Sequence, residues 1–228
     1  QTVSTPKVEE KAVAALKKVA AELWAAKGRS LVISGNNNIG EQLLVNAINN
    51  LLGNYGATIS FANAPKFRQG TDKEIQGLVD EMNAGTVDAV LAWGANPAFN
   101  LPNAAKFQEG LGKVKFKVSF SGTPDETTEL CDFIAPTSHY LESWSDAEPK
   151  SGHYSLIQPT ISKLFDTRQA EESLLTWSES ANLNKEAEQP YYEYLKANWQ
   201  STLFASQKNF ISFQAFWDNT LQSGVLEI

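Results

Sequence analysis

The chain has 228 residues, 42% of them hydrophobic and 20% charged, which is the composition of an ordinary globular protein with a sizeable core. Its formal net charge of −7 argues against a nucleic-acid surface, and no apolar run approaches the roughly 20 residues that span a bilayer. One cysteine, Cys131, rules out an internal disulfide, a cysteine-held iron–sulfur cluster and a thiolate zinc site, while leaving the redox compartment open. A start at Gln1, with neither Met nor a signal sequence, suggests a processed protein or an excised fragment.

Thr5 and Pro6 read as the N-cap and first residue of a helix. Its apolar positions Val8, Ala12, Leu16, Val19, Leu23 and Trp24 recur every three or four residues until Gly28. Leu31 to Ser34 is expected as a first strand, Gly35 to Asn38 as a polar turn, and Ile39 to Leu52 as a helix stopped by Gly53-Asn54-Tyr55-Gly56. Ala57 to Phe61 reads as a second strand. Thr71 to Met82 reads as a helix with Thr71 and Glu74 at capping-box spacing.

Ala89 to Trp93 is a short apolar run without charge, the pattern of a strand buried on both faces, and Gly94, Asn96 and Pro97 break it at once. A helix near Pro102 to Gln108, a strand at Lys115 to Phe120, a short helix from Pro124 to Leu130 and a brief strand at Asp132 to Ala135 follow. Strand and helix thus alternate, which predicts an α/β fold: a Rossmann-like, open, mainly parallel sheet with helices on both faces. Periodicity fails from 136 to 167, where Pro136, Pro149, Gly152 and Pro159 mark a long ordered loop of the kind that carries function or covers a surface. Helices near Ala170 to Ser178, Pro190 to Asn198 and Asn209 to Leu221 complete the chain. The expected organisation is a Rossmann-like domain over 1–180 and an aromatic-rich helical appendage over 181–228 that packs on it. The alternative for its aromatic residues is an exposed partner surface.

Two turns could take a ligand, since open α/β sheets bind at the carboxyl edge of their strands. Gly35-Asn36-Asn37-Asn38-Ile39-Gly40 could cradle a phosphate with its backbone N–H groups, or be an ordinary turn with an Asn cap. Gly94-Ala95-Asn96-Pro97 is open to the same two readings. Neither a P-loop nor a Gly-x-Gly-x-x-Gly fingerprint occurs, which disfavours an unrelated nucleotide-binding domain. His139 and His153 with Cys131 match no standard metal spacing and read as loop residues. Glu142, Asp146 and Glu148 read as a solvated acidic loop before they read as an acid–base set.

Taken together, several motifs resemble the molybdopterin oxidoreductases of the dimethyl sulfoxide reductase class. Leu51-Leu52-Gly53-Asn54-Tyr55-Gly56 is similar to that family's leucine-rich helix end followed by Gly-Asn-x-Gly. Met82-Asn83-Ala84-Gly85, the strand to Trp93 and Gly94-Ala95-Asn96-Pro97 are similar to its helix–strand–Gly-x-Asn-Pro unit. Pro124 to Pro136 resembles its Thr-Glu-Thr…Ala-Asp-x-x-Leu-Pro stretch, and Leu141-Glu142 and Gln158-Pro159 fall where its cofactor loop begins and closes. The resemblance covers about Leu31 to Ser178. Ser143-Trp144 replaces the family's Gly-Thr after the loop Glu, and no Arg lies between Asp146 and Tyr154.

Within the family the pattern looks most like the iron–sulfur, molybdopterin-like subunit of the Bacteroidetes alternative complex III. That likeness implies a scaffold domain in a quinol-oxidising respiratory membrane complex, with other subunits as partners, on the periplasmic side, without direct membrane insertion. No catalysis by this chain alone is expected. It also implies iron–sulfur clusters only elsewhere in a longer polypeptide, no metal here, and a molybdopterin guanine dinucleotide site that has been lost. The family's cofactor contacts carry over to Ser34, Gly35, Asn36, Asn37, Gly94, Asn96, Pro97 and Glu142. The alternative keeps those residues as a working guanine-dinucleotide site in a live molybdenum oxidoreductase.

Overall fold

Thr71 and Glu74 form the capping box that their spacing predicts. Thr71 Oγ1 accepts from the Glu74 N–H at 3.3 Å, and the Glu74 carboxylate accepts from the Thr71 N–H at 2.9 Å. In this computed structural model, which describes residues 8–228, the box starts helix α3, Asp72–Asn83. The proposed cap at Thr5 and Pro6 lies outside the described residues. Two compact units divide the chain after Ala64.

In the second unit α3 leads to β1, Ala89–Ala92, then α4, Pro97–Asn100, α5, Ala104–Leu111, β2, Phe116–Ser119, a 3-10 turn at Thr128–Leu130, and β3, Phe133–Ile134. The three strands form a parallel sheet in the order β1-β2-β3, with Ala89 opposite Phe116 and Val118 opposite Phe133. Val79 and Met82 of α3, Phe107 and Leu111 of α5, Ala98 of α4 and Val114 form one apolar core, against which Val87 and Val90 pack. Helices α3 and α5 come so close that a Cβ on Gly110 would lie 2.7 Å from Asn83 Nδ2 and 3.0 Å from Met82 Cβ. Asn83 bridges the pair, donating to Val79 O at 2.8 Å and to Lys106 O at 2.9 Å.

The segment 136–167, expected as a loop, contains a hairpin. Strands β4, Ser145–Lys150, and β5, His153–Ile157, pair antiparallel, and β6, Val225–Glu227, adds to β5. Sequence patterning misses β4 because Ser-Asp-Ala-Glu-Pro-Lys has neither alternation nor bulk, and an internal proline demotes a strand. Here Pro149 sits where the register shifts, and its carbonyl accepts from Lys66 N–H at 2.8 Å.

Helices α6, Ala170–Trp177, α7, Pro190–Trp199, and α8, Phe213–Ser223, lie close to their expected positions. A π-helical turn at Gln200–Phe204 extends α7. Tyr191, Leu195, Trp199, Phe216 and Trp217 pack with Leu156 of β5 into a second core. Trp199 is fully buried, and its indole N–H donates to Asp146 Oδ2 at 2.6 Å. Desolvation in this core pushes the Tyr191 phenol well up, with the Glu171 and Asp146 carboxylates adding to it. The aromatic side chains therefore build an interior around the second sheet.

The first unit holds α1, Glu10–Ala25, and α2, Ile39–Leu51. Neither Leu31–Ser34 nor Ala57–Phe61 is a strand, a correction to the expected count of parallel strands. Leu31–Ser34 runs without a ladder because a side chain takes the place of the neighbouring strand. Val32 N–H donates to Asn49 Oδ1 at 3.0 Å, and Val32 O accepts from Asn49 Nδ2 at 2.7 Å. Residues 57–59 wrap around Asn54 instead, their N–H groups donating to Asn54 O at 2.9–3.1 Å. Asn49 and Asn54 are buried and joined by a 2.9 Å hydrogen bond, so the Gly-Asn-x-Gly stretch serves as a polar core, where an unpaired amide would be costly. The protein is α/β, with a three-stranded parallel sheet flanked by helices and a helical C-terminal part.

Candidate functional site

The turn from Ser34 to Gly40 enters α2 in the first unit. Asn38 is its N-cap, with Oδ1 accepting from Glu41 N–H at 3.2 Å. Glu41, the third residue of the helix, turns its carboxylate back into the turn. It accepts from the Ser34 hydroxyl and, at 2.8 Å, from Asn36 Nδ2. Asn36 Oδ1 accepts from Asn38 N–H at 3.0 Å, and Gln42 Nε2 donates to the carbonyls of Ser34 at 3.2 Å and Asn36 at 2.5 Å. Five side chains, those of Ser34, Asn36, Asn38, Glu41 and Gln42, thus close the turn by bonding one another or its backbone. Gly35 and Asn37 are exposed and enter no side-chain hydrogen bond among the described residues.

The second turn, Gly94 to Pro97, joins β1 to α4 in the other unit. Gly94 adopts φ +65°, a left-handed conformation that favours glycine, with open space where a Cβ would stand. Pro97 opens α4 at its first position. Asn96 donates from Nδ2 to Glu126 Oε2 at 2.7 Å and accepts at Oδ1 from the Thr127 hydroxyl at 2.7 Å. Thr127 Oγ1 in turn accepts from Ala98 N–H at 3.1 Å and is buried. Asp125 Oδ1 accepts from the N–H groups of Thr127 at 3.0 Å and Thr128 at 2.8 Å, and the Thr128 N–H chiefly holds its carboxyl below the usual range. The stretch from Pro124 therefore pins the carboxyl edge of the sheet to the turn after β1.

Glu142 lies in the wall of a cleft of about 1010 Å³, lined among others by Ser138, His139, Tyr140, Leu164 and Phe165. Gly122 and Thr123, just beyond β2, border it, so it opens at the carboxyl edge of the parallel sheet. Glu142 Oε2 accepts from His139 N–H at 3.1 Å and Oε1 from Leu164 N–H at 3.2 Å, stapling the start of the loop to its end. The other acidic residues go elsewhere. Asp146 holds Trp199, and Glu148 pairs with Lys66 and accepts from Gly152 N–H at 3.0 Å. The Lys66 ammonium holds Glu148 below the usual carboxylate range, with Gly152 N–H second. His153 contacts Glu227, and His139 packs against Tyr140 with ring centroids 4.3 Å apart and the planes tilted by 37°. Among the described residues no cluster of three or more His, Cys, Asp or Glu side chains is arranged to hold a metal.

In each unit by itself, a guanine dinucleotide would need free polar side chains at these positions. Asn36, Asn96 and Glu142, the side chains best suited to read its polar edges, are engaged within the chain, two of them by carboxylates. A carboxylate beside a phosphate repels it. With Glu41 bonded to Asn36 in one unit and Glu126 bonded to Asn96 in the other, neither turn, taken by itself, fits a diphosphate. Sequence reasoning passed over Glu41, Glu126 and Thr127. The signal for Glu41 was its place three residues after Asn38, and for the other two the acidic and hydroxyl residues next to Asp125.

No protein-family model matches the chain. A stretch of 91 residues, 38% of the chain, is 40% identical to the menaquinone reductase molybdopterin-binding-like subunit of Nitratidesulfovibrio vulgaris (Hildenborough). A stretch of 145 residues, 60% of the chain, is 24% identical to the molybdopterin-containing subunit of the arsenate respiratory reductase of Chrysiogenes arsenatis. The chain is similar to molybdopterin-type oxidoreductase subunits. The matches cover 13% and 17% of those two proteins' own lengths, so it corresponds to a small part of each. One relative is described as molybdopterin-containing and the other as molybdopterin-binding-like, and the higher identity is to the second. No helix among the described residues is long and apolar enough to cross a membrane.

Proposed function

We propose that this chain is a scaffold domain of a molybdopterin-oxidoreductase-like subunit in a membrane-associated, quinol-linked electron-transfer complex, without a redox centre of its own. The observation that carries the reading is the fate of Asn96. Its amide is fixed between Glu126 and Thr127 within the chain, so the turn after β1 acts as a structural joint. The similarity to a menaquinone reductase subunit supports the electron-transfer setting and the presence of further subunits as partners. Placement on the periplasmic side, and kinship with the iron–sulfur, molybdopterin-like subunit of alternative complex III, belong to this proposal. In it, Ser34, Gly35, Asn36, Asn37, Gly94, Asn96, Pro97 and Glu142 are the remains of a cofactor frame.

The test is elemental analysis of the intact natural protein. Neither molybdenum nor tungsten is expected in stoichiometric amount, and finding either sinks the scaffold reading. A second reading, a domain that binds molybdopterin guanine dinucleotide, is favoured by the similarity to the arsenate reductase subunit over 60% of the chain. Thermal unfolding with excess GDP separates the two. A ligand at about 100 times its dissociation constant stabilises the native state by roughly 2.7 kcal/mol, enough to raise the midpoint by a few degrees. The scaffold reading expects no rise.

A further inference from the structure

Glu41 does more than cap a helix. Its carboxylate lies at the N-terminal end of α2, where the helix dipole is positive, and takes hydrogen bonds from Ser34 Oγ and Asn36 Nδ2. A phosphate at such a helix start is held by backbone N–H groups, and here the Glu41 carboxylate already stands beside them, held by two side-chain donors of the same turn. Asn38 and Gln42 hold the loop around it, through Glu41 N–H to Asn38 Oδ1 at 3.2 Å and Gln42 Nε2 to Ser34 O at 3.2 Å. The turn is therefore built around an anion that the chain itself supplies.

We propose that Glu41 is an internal stand-in for a ligand phosphate and the residue that makes this turn refuse a diphosphate. The inference rests on the scaffold reading and gives it a residue-level cause. A diphosphate entering the turn would have to displace the carboxylate from Ser34 and Asn36, and would then sit beside a like charge. Glu41→Gln removes that charge with little change of shape. It also leaves Asn36 Nδ2 free for a phosphate oxygen whenever the Gln amide turns its own N–H groups inward.

The test is calorimetric titration of the 228-residue chain and its Glu41→Gln variant with inorganic pyrophosphate and with GDP, at low ionic strength. Wild type is expected to bind neither at millimolar concentration, and the variant to bind pyrophosphate about tenfold more tightly or better, as removal of one adjacent charge would give. The gain should vanish in the double variant with Asn36→Ala. Thermal melts check folding, and Glu41→Ser serves the same purpose should Glu41→Gln not fold. If neither wild type nor variant binds, Glu41 is not the determinant, while the scaffold reading stands. If wild type itself binds with a sub-millimolar constant, both fall.

Discussion

The turn from Ser34 to Gly40 and the turn from Gly94 to Pro97 look alike in sequence, each with glycine, asparagine and small residues ahead of a helix. They are closed by different means. The first is closed locally, by Glu41 and Gln42 from the helix it introduces. The second is closed from a distance, by Glu126 and Thr127, thirty residues further on. A locally closed turn stands or falls with its own helix. A turn closed from afar couples two strand ends, and here it does so through the buried Thr127, whose loss is felt more widely.

The largest expected effect tests that contrast at Thr127. Thr127→Val removes a buried hydroxyl that serves both Asn96 and Ala98 N–H, and should destabilise the chain by about 1–3 kcal/mol in urea unfolding. A change below about 0.5 kcal/mol would mean that the long-range pin is incidental, like an ordinary surface substitution. At the local turn, Asn38→Ala removes only the N-cap and should cost about 1 kcal/mol by the same measurement. A larger loss than at Thr127 would reverse the comparison.

A smaller effect is expected in acid. The folded state lowers the Asp125 carboxyl, chiefly through Thr128 N–H, so its stabilisation is full above its unfolded value near pH 4. It is lost as the pH falls through the depressed folded value. Acid unfolding of Asp125→Asn should therefore show less loss of stability below about pH 4 than wild type, and equal slopes would remove Asp125 from the pin. The smallest effect belongs to Asn36→Ala. Asn36 is exposed, so its replacement should change stability by about 0.5 kcal/mol or less, although it bonds Glu41. A cost above about 1 kcal/mol would show that the local turn is as demanding as the distant one.

The same division between near and far governs what could be read in advance. The capping box of Thr71 and Glu74 was legible because both partners sit three residues apart on one helix end. So were strands β1 and β2 and the positions of α6, α7 and α8, whose apolar spacing is a local property. The hairpin of β4 and β5 was not, because β4 gains its conformation from its neighbours across the sheet. Leu31–Ser34 reads as a strand because of its apolar Leu-Val-Ile run, a local signal. The side chain of Asn49, seventeen residues from Val32, holds it in place of a ladder. At the candidate site the residue types were visible and their engagements were not. Nothing in Gly94-Ala95-Asn96-Pro97 announces that Glu126 will claim the Asn96 amide.

Sequence alone carries the α/β class, the parallel strands around Ala89–Ala92 and Phe116–Ser119, the Thr71–Glu74 capping box and the aromatic content of the C-terminal helices. Each of these follows from short-range spacing, propensity or composition. Only the tertiary structure decided that those aromatic residues form an interior around Trp199. It alone also decided that Asn96 is held by residues thirty positions away and that Glu142 staples the two ends of its loop. The physical reason is common to all three. A polar or aromatic side chain has several partners that would satisfy it, and which one it meets is fixed by where distant segments are brought together.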